Sequence, residues 1–198
     1  YSFDFDSNTG KLFINDVGSN SSEEINDGTN GNLNFGWPNV EGISGNAAYT
    51  DPVFAYAHGV TNTTGCAITG GAFFNSSISN YPAAYANKYF YIDYCNQWIG
   101  YINVSSQSNS TVFATGISDE MVCIDQGNDG NLYFLSRIAN KLYKISYNNI
   151  TVPTIISQPV GLSVSLGQPA SFSVVASGST PLTYVWKKNG VSIANSNS

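Results

Sequence analysis

The acids able to hold a cation crowd into one stretch, Asn15 to Asn26, "NDVGSNSSEEIN", which offers Asp16, Glu23 and Glu24 beside several amide and backbone oxygens. These are hard oxygen donors, of which Ca²⁺ gathers about six to eight. The spacing of an EF-hand loop is missing, so composition alone leaves the same acids readable as surface carboxylates. The chain has one histidine, His58 in "YAHG", which reads either as a donor lining a site or as a structural imidazole. Cys66, Cys95 and Cys123 include no closely spaced pair, and with a single histidine they make neither a zinc knuckle nor a CxxC redox motif. One disulfide and one buried thiol is the economical reading. The glycine-rich "GCAITGGAFF" at 65–74 lacks the spacing of a phosphate loop, and no helical pattern follows it.

The elements that must position these residues are strands. Short runs rich in Tyr, Phe, Ile and Val alternate with turn clusters, and no 3.6-residue periodicity is sustained. A turn followed by an aromatic strand recurs in "DSNTGKLFINDVG" at 6–18, "YANKYFYIDYC" at 85–95 and "GNDGNLYFLSRIANKLYKISY" at 127–147. Gly10 and Gly130 sit at turn positions that favour positive φ, and Leu12 and Leu132 begin the core face of the next strand. The third copy runs on into a further strand, as a four-stranded antiparallel blade would. Residues 1–150 supply about three blades, part of a larger ring. Cys123 in "MVCID" is expected to be a small buried hydrophobe. Trp37, Tyr49, Tyr56, Tyr81, Tyr85 and Trp98 could stack on a sugar, but in a β-protein such rings are more often core.

Residues 1–150 carry all 13 acids, whereas 151–198 hold only Lys187 and Lys188. The junction "NNITVPTIISQP" reads as an extended linker, placing a boundary near Ile150. Beyond it, apolar residues alternate through Leu162, Val164 and Leu166 and through Phe172, Val174 and Ala176, and a third strand bears Tyr184 and Trp186. This resembles strands A to C of an immunoglobulin-like sandwich, with Val174 where the usual cysteine stands. The expected class is all-β: a partial propeller, about three blades of an expected six, followed by the first strands of that sandwich.

A net charge of −6 and 10% charged residues leave no basic footprint for nucleic acid. No apolar run approaches the ~18 residues of a spanning helix. The composition, rich in Asn, Ser, Thr, Tyr and Gly, suits an extracellular β-protein, and the expected location is extracellular, cell-surface or periplasmic. Six N-x-S/T triplets, at Asn20, Asn62, Asn75, Asn103, Asn109 and Asn149, matter only under eukaryotic secretion.

Six motifs, in order, resemble the glucose/sorbosone dehydrogenase propellers, also called soluble PQQ-dependent sugar dehydrogenase-like proteins. They are "NDVGSNSSEEIN" at 15–26, "NFGWPNVEG" at 34–42, "DPVFAYAHG" at 51–59, "CAITGGAFF" at 66–74, "YPAAYANKYFYIDYCNQWIGYI" at 81–102 and "GNDGNLYFLSR" at 127–137. They cover nearly all of 1–150 and match the C-terminal half of the family. The resemblance implies oxidation of an aldose by hydride transfer to pyrroloquinoline quinone (PQQ) on calcium, with a sugar or polysaccharide as substrate. The base is expected upstream of Tyr1. The backbone at Gly18 and Ser19 falls where the enzymes hold the cofactor calcium. Glu24, with the carbonyl of Phe35, matches a structural calcium position, with Glu23 and Asp16 as further candidate ligands. His58 matches a histidine of one branch and is a candidate site-lining residue. Cys66 and Cys95 flank neighbouring strands in the family and are the expected disulfide. Gly70 and Gly71 would bring the backbone close to the central channel, with Phe73 and Phe74 on opposite faces.

Departures from the pattern point elsewhere. The loops whose Lys and Arg meet the three carboxylates of PQQ read "CNQ" at 95–97 and "SDE" at 118–120, leaving Arg137 to compensate, and Val17 replaces a polar side chain. A related branch, the hedgehog-interacting proteins, binds partners instead. The alternative is therefore a non-catalytic, calcium-stabilised propeller that binds carbohydrate or a protein, with the immunoglobulin-like module serving attachment to a cell surface or glycan. By itself the chain is expected to be inactive and to expose unpaired edges.

Overall fold

Turn residues divide the first 147 residues into antiparallel hairpins, and the computed structural model describes residues 2–107, 109–148 and 150–193. These fall into two compact units, Tyr1–Tyr147 and Asn148–Ser198. Asn149, which begins the last N-x-S/T triplet, lies outside the described residues.

In the first unit, β1 (Ser2–Phe5), β2 (Leu12–Asp16), β3 (Ser22–Asp27) and β4 (Phe54–Ala57) form one four-stranded sheet in chain order. A second contains β5 (Ile68–Phe73), β6 (Lys88–Asp93), β7 (Trp98–Asn103) and β8 (Ser110–Ala114). The third has three strands, β9 (Met121–Gln126), β10 (Leu132–Ser136) and β11 (Lys141–Ile145), one fewer than a full blade. Among the described residues the helical elements are two single 3₁₀ turns, Ser76–Ile78 and Ala83–Tyr85. The architecture is that of propeller blades: each first strand is innermost, and β5 packs against both β1 and β9.

The blades are cemented by aromatic layers. Between the first and second lie Phe13, Ile25, Tyr56, Phe73, Tyr89, Tyr91 and Trp98; between the second and third lie Phe74, Tyr81, Phe90, Ile99, Met121, Leu132 and Phe134. Phe73 and Phe74 thus serve opposite faces, as successive strand positions must. Gly10 and Gly130 have φ of 75° and 78°. Leu132 is fully buried, but in β2 it is Phe13, not Leu12, that enters the core.

The glycines of β5, an innermost strand, also answer to close packing. A Cβ on Gly70 would lie 2.8 Å from Ile124 N, and one on Gly71 would lie 2.2 Å from the Tyr89 hydroxyl. Each glycine lets a neighbouring structural layer close in, β9 on one side and the Tyr89–Asn15 pair on the other.

Cys123 is exposed, not buried. Its register partner on β10 is Leu135, itself 44% exposed, so both project from the face of the third sheet turned away from the second.

The second unit has two short ladders, β12 (Thr154–Ser157) with β13 (Val175–Ser177), and β14 (Lys187–Lys188) with β15 (Val191–Ser192). The alternating residues 162–166 are not in a strand, nor are Tyr184 and Trp186. Alternation supplies a two-faced strand, but a ladder needs a partner, and among the described residues none pairs with 162–166 in a ladder, while Trp186 O accepts from Ile193 N at 2.9 Å at the end of the β14–β15 hairpin.

Candidate functional site

The antiparallel alternation brings five connections to one edge of the first unit: residues 17–21 (β2–β3), 58–67 (β4–β5), 94–97 (β6–β7), 115–120 (β8–β9) and 137–140 (β10–β11). The acidic stretch 15–26 is consequently not one loop. It is the end of β2, a short turn and most of β3, and it distributes its acids over both faces.

Glu24 and Glu23 are adjacent on β3 and point oppositely. Glu24 faces a cavity of about 320 Å³ that is also lined by Asp16, Val17, Gly18, Phe35, Trp37, Val40 and Glu41. Its Oε1 accepts from the amide of Gly42, and its Oε2 accepts from Asn26 Nδ2 at 3.1 Å. Burial raises the Glu24 carboxyl above its ordinary value, and the charges of Asp16 and Glu41 add to that. Asn26 is fully buried, and its Oδ1 has no hydrogen-bond partner.

Glu23 goes the other way, into the blade junction. It is fully buried, accepting from Ile68 N at 2.9 Å and meeting His58 Nε2 at 2.7 Å. Burial raises this carboxyl too, and the bonds from Ile68 and His58 pull it back. Glu23 therefore does not join Asp16 and Glu24 around the cavity, and His58 is tied to a buried carboxylate. A further buried acid, Asp93, accepts from Tyr56 Oη at 3.0 Å and from the amides of Cys66, Ala67 and Asn96 at 3.1, 3.3 and 2.7 Å. It anchors the β4–β5 connection beside the Cys66–Cys95 disulfide, whose Cα atoms are 5.7 Å apart.

Glu41 was not singled out by the sequence, although "NVEG" contains it. Its carboxylate sits in a nest of consecutive amides, Ser19 N at 2.7 Å, Asn20 N at 3.1 Å and Ser21 N at 2.8 Å, with Ser21 Oγ at 2.8 Å. The Ser21 hydroxyl and these amides hold the carboxyl down to about 2. The Ser19 amide is thereby committed to Glu41, while Gly18 lines the cavity.

A separate cleft of about 370 Å³ opens on the same edge, lined by Val17, Ala67, Thr69, Tyr94, Val122 and Arg137. Arg137 Nη1 donates to Tyr94 Oη at 2.6 Å and to Glu120 Oε2 at 3.2 Å, and Tyr94 Oη donates to Glu120. Donation to Glu120 raises the Tyr94 phenol above its ordinary value. In the sequence the 118–120 loop and Arg137 stand as separate signals, and Tyr94, which joins them, carries none. Of the six aromatics, Tyr56, Tyr81 and Trp98 are core, whereas Trp37 is 62% exposed at the Glu24 cavity.

Among the described residues no three His, Cys, Asp or Glu side chains converge closely enough to hold a metal between them. No helix is long and apolar enough to cross a membrane.

No family model matches this chain, and no curated protein matches its sequence. Solved structures do match. One is a glucose dehydrogenase (TM-score 0.59, 16% identity, 74% of this chain and 44% of that one). A second glucose dehydrogenase matches with TM-score 0.56 and 15% identity, over 74% of this chain and 43% of that one. The soluble aldose sugar dehydrogenase of Escherichia coli, in its apo-form, matches with TM-score 0.54 and 21% identity, over 72% of this chain and 43% of that one. The chain spans less than half the length of each of these structures. At such identities the likeness is one of architecture, and over roughly three-quarters of its length this chain has the β-propeller fold of the sugar dehydrogenases.

Proposed function

We propose that the first unit belongs to a sugar-recognising propeller, stabilised by calcium, that binds carbohydrate on the edge where its five connections converge. The carrying observation is the cleft there: Thr69, Tyr94 and Arg137 offer aromatic and hydrogen-bonding groups among the apolar Val17, Ala67 and Val122. That mixture suits a sugar, which has apolar C–H faces and hydroxyl edges. The solved structures with this fold are sugar dehydrogenases, which supports the same ligand class.

The Glu24 cavity fits a hard cation. Its lining includes the carboxylates of Glu24 and Asp16 beside Phe35 and Gly18, and the Oδ1 of Asn26, next to Glu24, has no hydrogen-bond partner among the described residues. Glu24, the Phe35 carbonyl and Asp16 would hold the ion, which would offset the charge that burial penalises and tie the β2–β3 turn to the 28–53 connection. Glu23 plays no part in this set.

PQQ fits less well. A tricarboxylate needs charge-assisted donors. The 95–97 positions give a disulfide cysteine and Asn96, whose amide is spent on the carbonyls of Gly59, Thr61 and Thr64. Arg137 is already paired with Glu120. The second reading, sugar oxidation as in the matched enzymes, would require its base and its anion cradle from residues other than those described. In either reading the protein works outside the cytoplasm, and an immunoglobulin-like attachment module at 151–198 rests on the sequence alternation alone, since residues 162–166 are not in a strand.

Saturation-transfer NMR with glucose, cellobiose and a β-glucan oligosaccharide, with and without Ca²⁺, tests the proposal. Transfer to sugar C–H protons that Tyr94→Ala weakens is expected. Absence of transfer from every neutral sugar at tens of millimolar, in a sample shown to be folded, overturns it. Dye reduction by the chain with sugar, Ca²⁺ and PQQ would establish the second reading instead.

A further inference from the structure

The cleft contains one guanidinium, and what that group is doing decides which ligands can enter. Arg137 is held to Glu120 twice, by the side-chain pair at 3.2 Å and by its own backbone amide, which donates to Glu120 O at 2.9 Å. β9 and β10 are antiparallel neighbours, so the residue before one and the residue after the other are brought together by the ladder itself. Tyr94 closes the triangle from the β6–β7 connection, accepting from Arg137 and donating to Glu120.

The consequence is that the free side-chain donors of the cleft reduce to the Nε and Nη2 hydrogens of Arg137, whose charge Glu120 already offsets. The one hydroxyl proton of Tyr94 goes to Glu120, and that of Thr69 goes to Met121 O at 2.7 Å. Val17, Ala67 and Val122 bring no polar side-chain atoms. The neighbouring charges are acidic as well: Asp119 precedes Glu120, and Asp16 and Glu41 line the adjoining cavity. An incoming carboxylate would meet the Glu120 charge at the same place where it sought Arg137. A hydroxyl is not so penalised, since it can donate to the carboxylate and accept from the guanidinium at once.

We propose that Glu120 sets the charge selectivity of this cleft: by holding Arg137 and Tyr94 it shuts out polycarboxylates, PQQ among them, and leaves a site for a neutral, hydroxyl-bearing ligand. The proposal rests on the assignment of the cleft as the ligand site. Glu120 is a specificity-determining residue, and removing its charge frees both Arg137 and the Tyr94 proton for an anion.

The test is equilibrium dialysis of PQQ and, separately, of citrate against the full chain at low ionic strength. The wild-type protein is expected to show no saturable uptake below about 1 mM. Glu120→Gln should bind both anions at least about tenfold more tightly, and adding Arg137→Ala should abolish that gain. Glu120→Ser carries the same expectation, and serves if the Gln variant fails to melt cooperatively. Micromolar binding of PQQ by the wild type, or no gain in a folded Glu120 variant, overturns the proposal. The neutral-sugar NMR on the same proteins reports separately on the carbohydrate assignment: loss of sugar binding throughout would sink that assignment, whereas the anion comparison would still decide the role of Glu120.

Discussion

Adding one methyl group at Gly70 should be among the most damaging small changes in the propeller unit. The three atoms nearest a Cβ there are Ile124 N at 2.8 Å, Cys123 Cα at 3.0 Å and Cys123 C at 3.2 Å, all backbone of β9. No side chain can rotate away, so the strand itself must retreat by several tenths of an ångström. That strand is held by its ladder to β10 and by the Thr69 hydroxyl on Met121 O. Overpacking of this kind costs about 1–3 kcal/mol. Replacing glycine with alanine returns about 0.4–1 kcal/mol by restricting the unfolded chain. The net expectation for Gly70→Ala is a loss of about 1–2 kcal/mol. Gly71→Ala should fall in the same range by another route: it displaces the buried Tyr89 hydroxyl and breaks its 3.2 Å bond to Asn15, worth about 1 kcal/mol. Gly161, with nothing within 4 Å of a Cβ, is the control, and Gly161→Ala should be neutral or slightly stabilising. Urea unfolding followed by tryptophan fluorescence, at constant m-value, measures all three. If Gly70→Ala unfolds at the same urea concentration as Gly161→Ala, the close packing of β5 against β9 is refuted.

Three further outcomes are expected. Calcium should raise the melting temperature of the wild type and not of Glu24→Gln, and saturation to a hundred times Kd corresponds to about 2.7 kcal/mol; equal shifts in both proteins would remove Glu24 from the ion's ligands. Replacing Cys66 and Cys95 by serine opens a loop of 29 residues' separation, with a loss of about 3–4 kcal/mol in the chain-entropy treatment, read by thermal melting against the oxidised parent. Glu41→Gln should speed hydrogen exchange at the amides of Ser19, Asn20 and Ser21. Because the folded-state carboxyl is depressed to about 2 from the ordinary 4.5, the wild-type contribution is complete above pH 4.5 and disappears as pH falls toward 2, so the two proteins should converge at the acid end.

Much of the propeller was legible because its signals are local. "YANKYFYIDYC" announced β6, all of whose residues from Tyr89 to Asp93 are buried, and the positive-φ turns at Gly10 and Gly130 marked the hairpins. The opposite orientation of Glu23 and Glu24 was available too, once 22–27 is treated as a strand and not as part of a loop. Other features are properties of partners. Cys123 looked like a core residue in an apolar run, but the face it occupies has no neighbouring sheet among the described residues. In the second unit, alternation through Leu162, Val164 and Leu166 specified a strand's two faces without supplying anything to pair with.

The charged groups show most clearly where sequence reading ends. Counting acids at 118–120 and noting Arg137 leaves two opposite outcomes open, an arginine free to bind an anion or an arginine already neutralised. Residues 94, 120 and 137 lie on three different connections, and only the stacking of the second and third sheets sets Tyr94 against the Glu120–Arg137 pair. The same holds for Glu41, twenty residues or more from each amide it caps, which converts a flexible turn into a fixed anion nest. In both places a carboxylate of this chain occupies donors that an external anion would otherwise use. On the proposed reading, the apolar side chains of Val17 and Val122 beside this paired acid and base would favour ligands without charge.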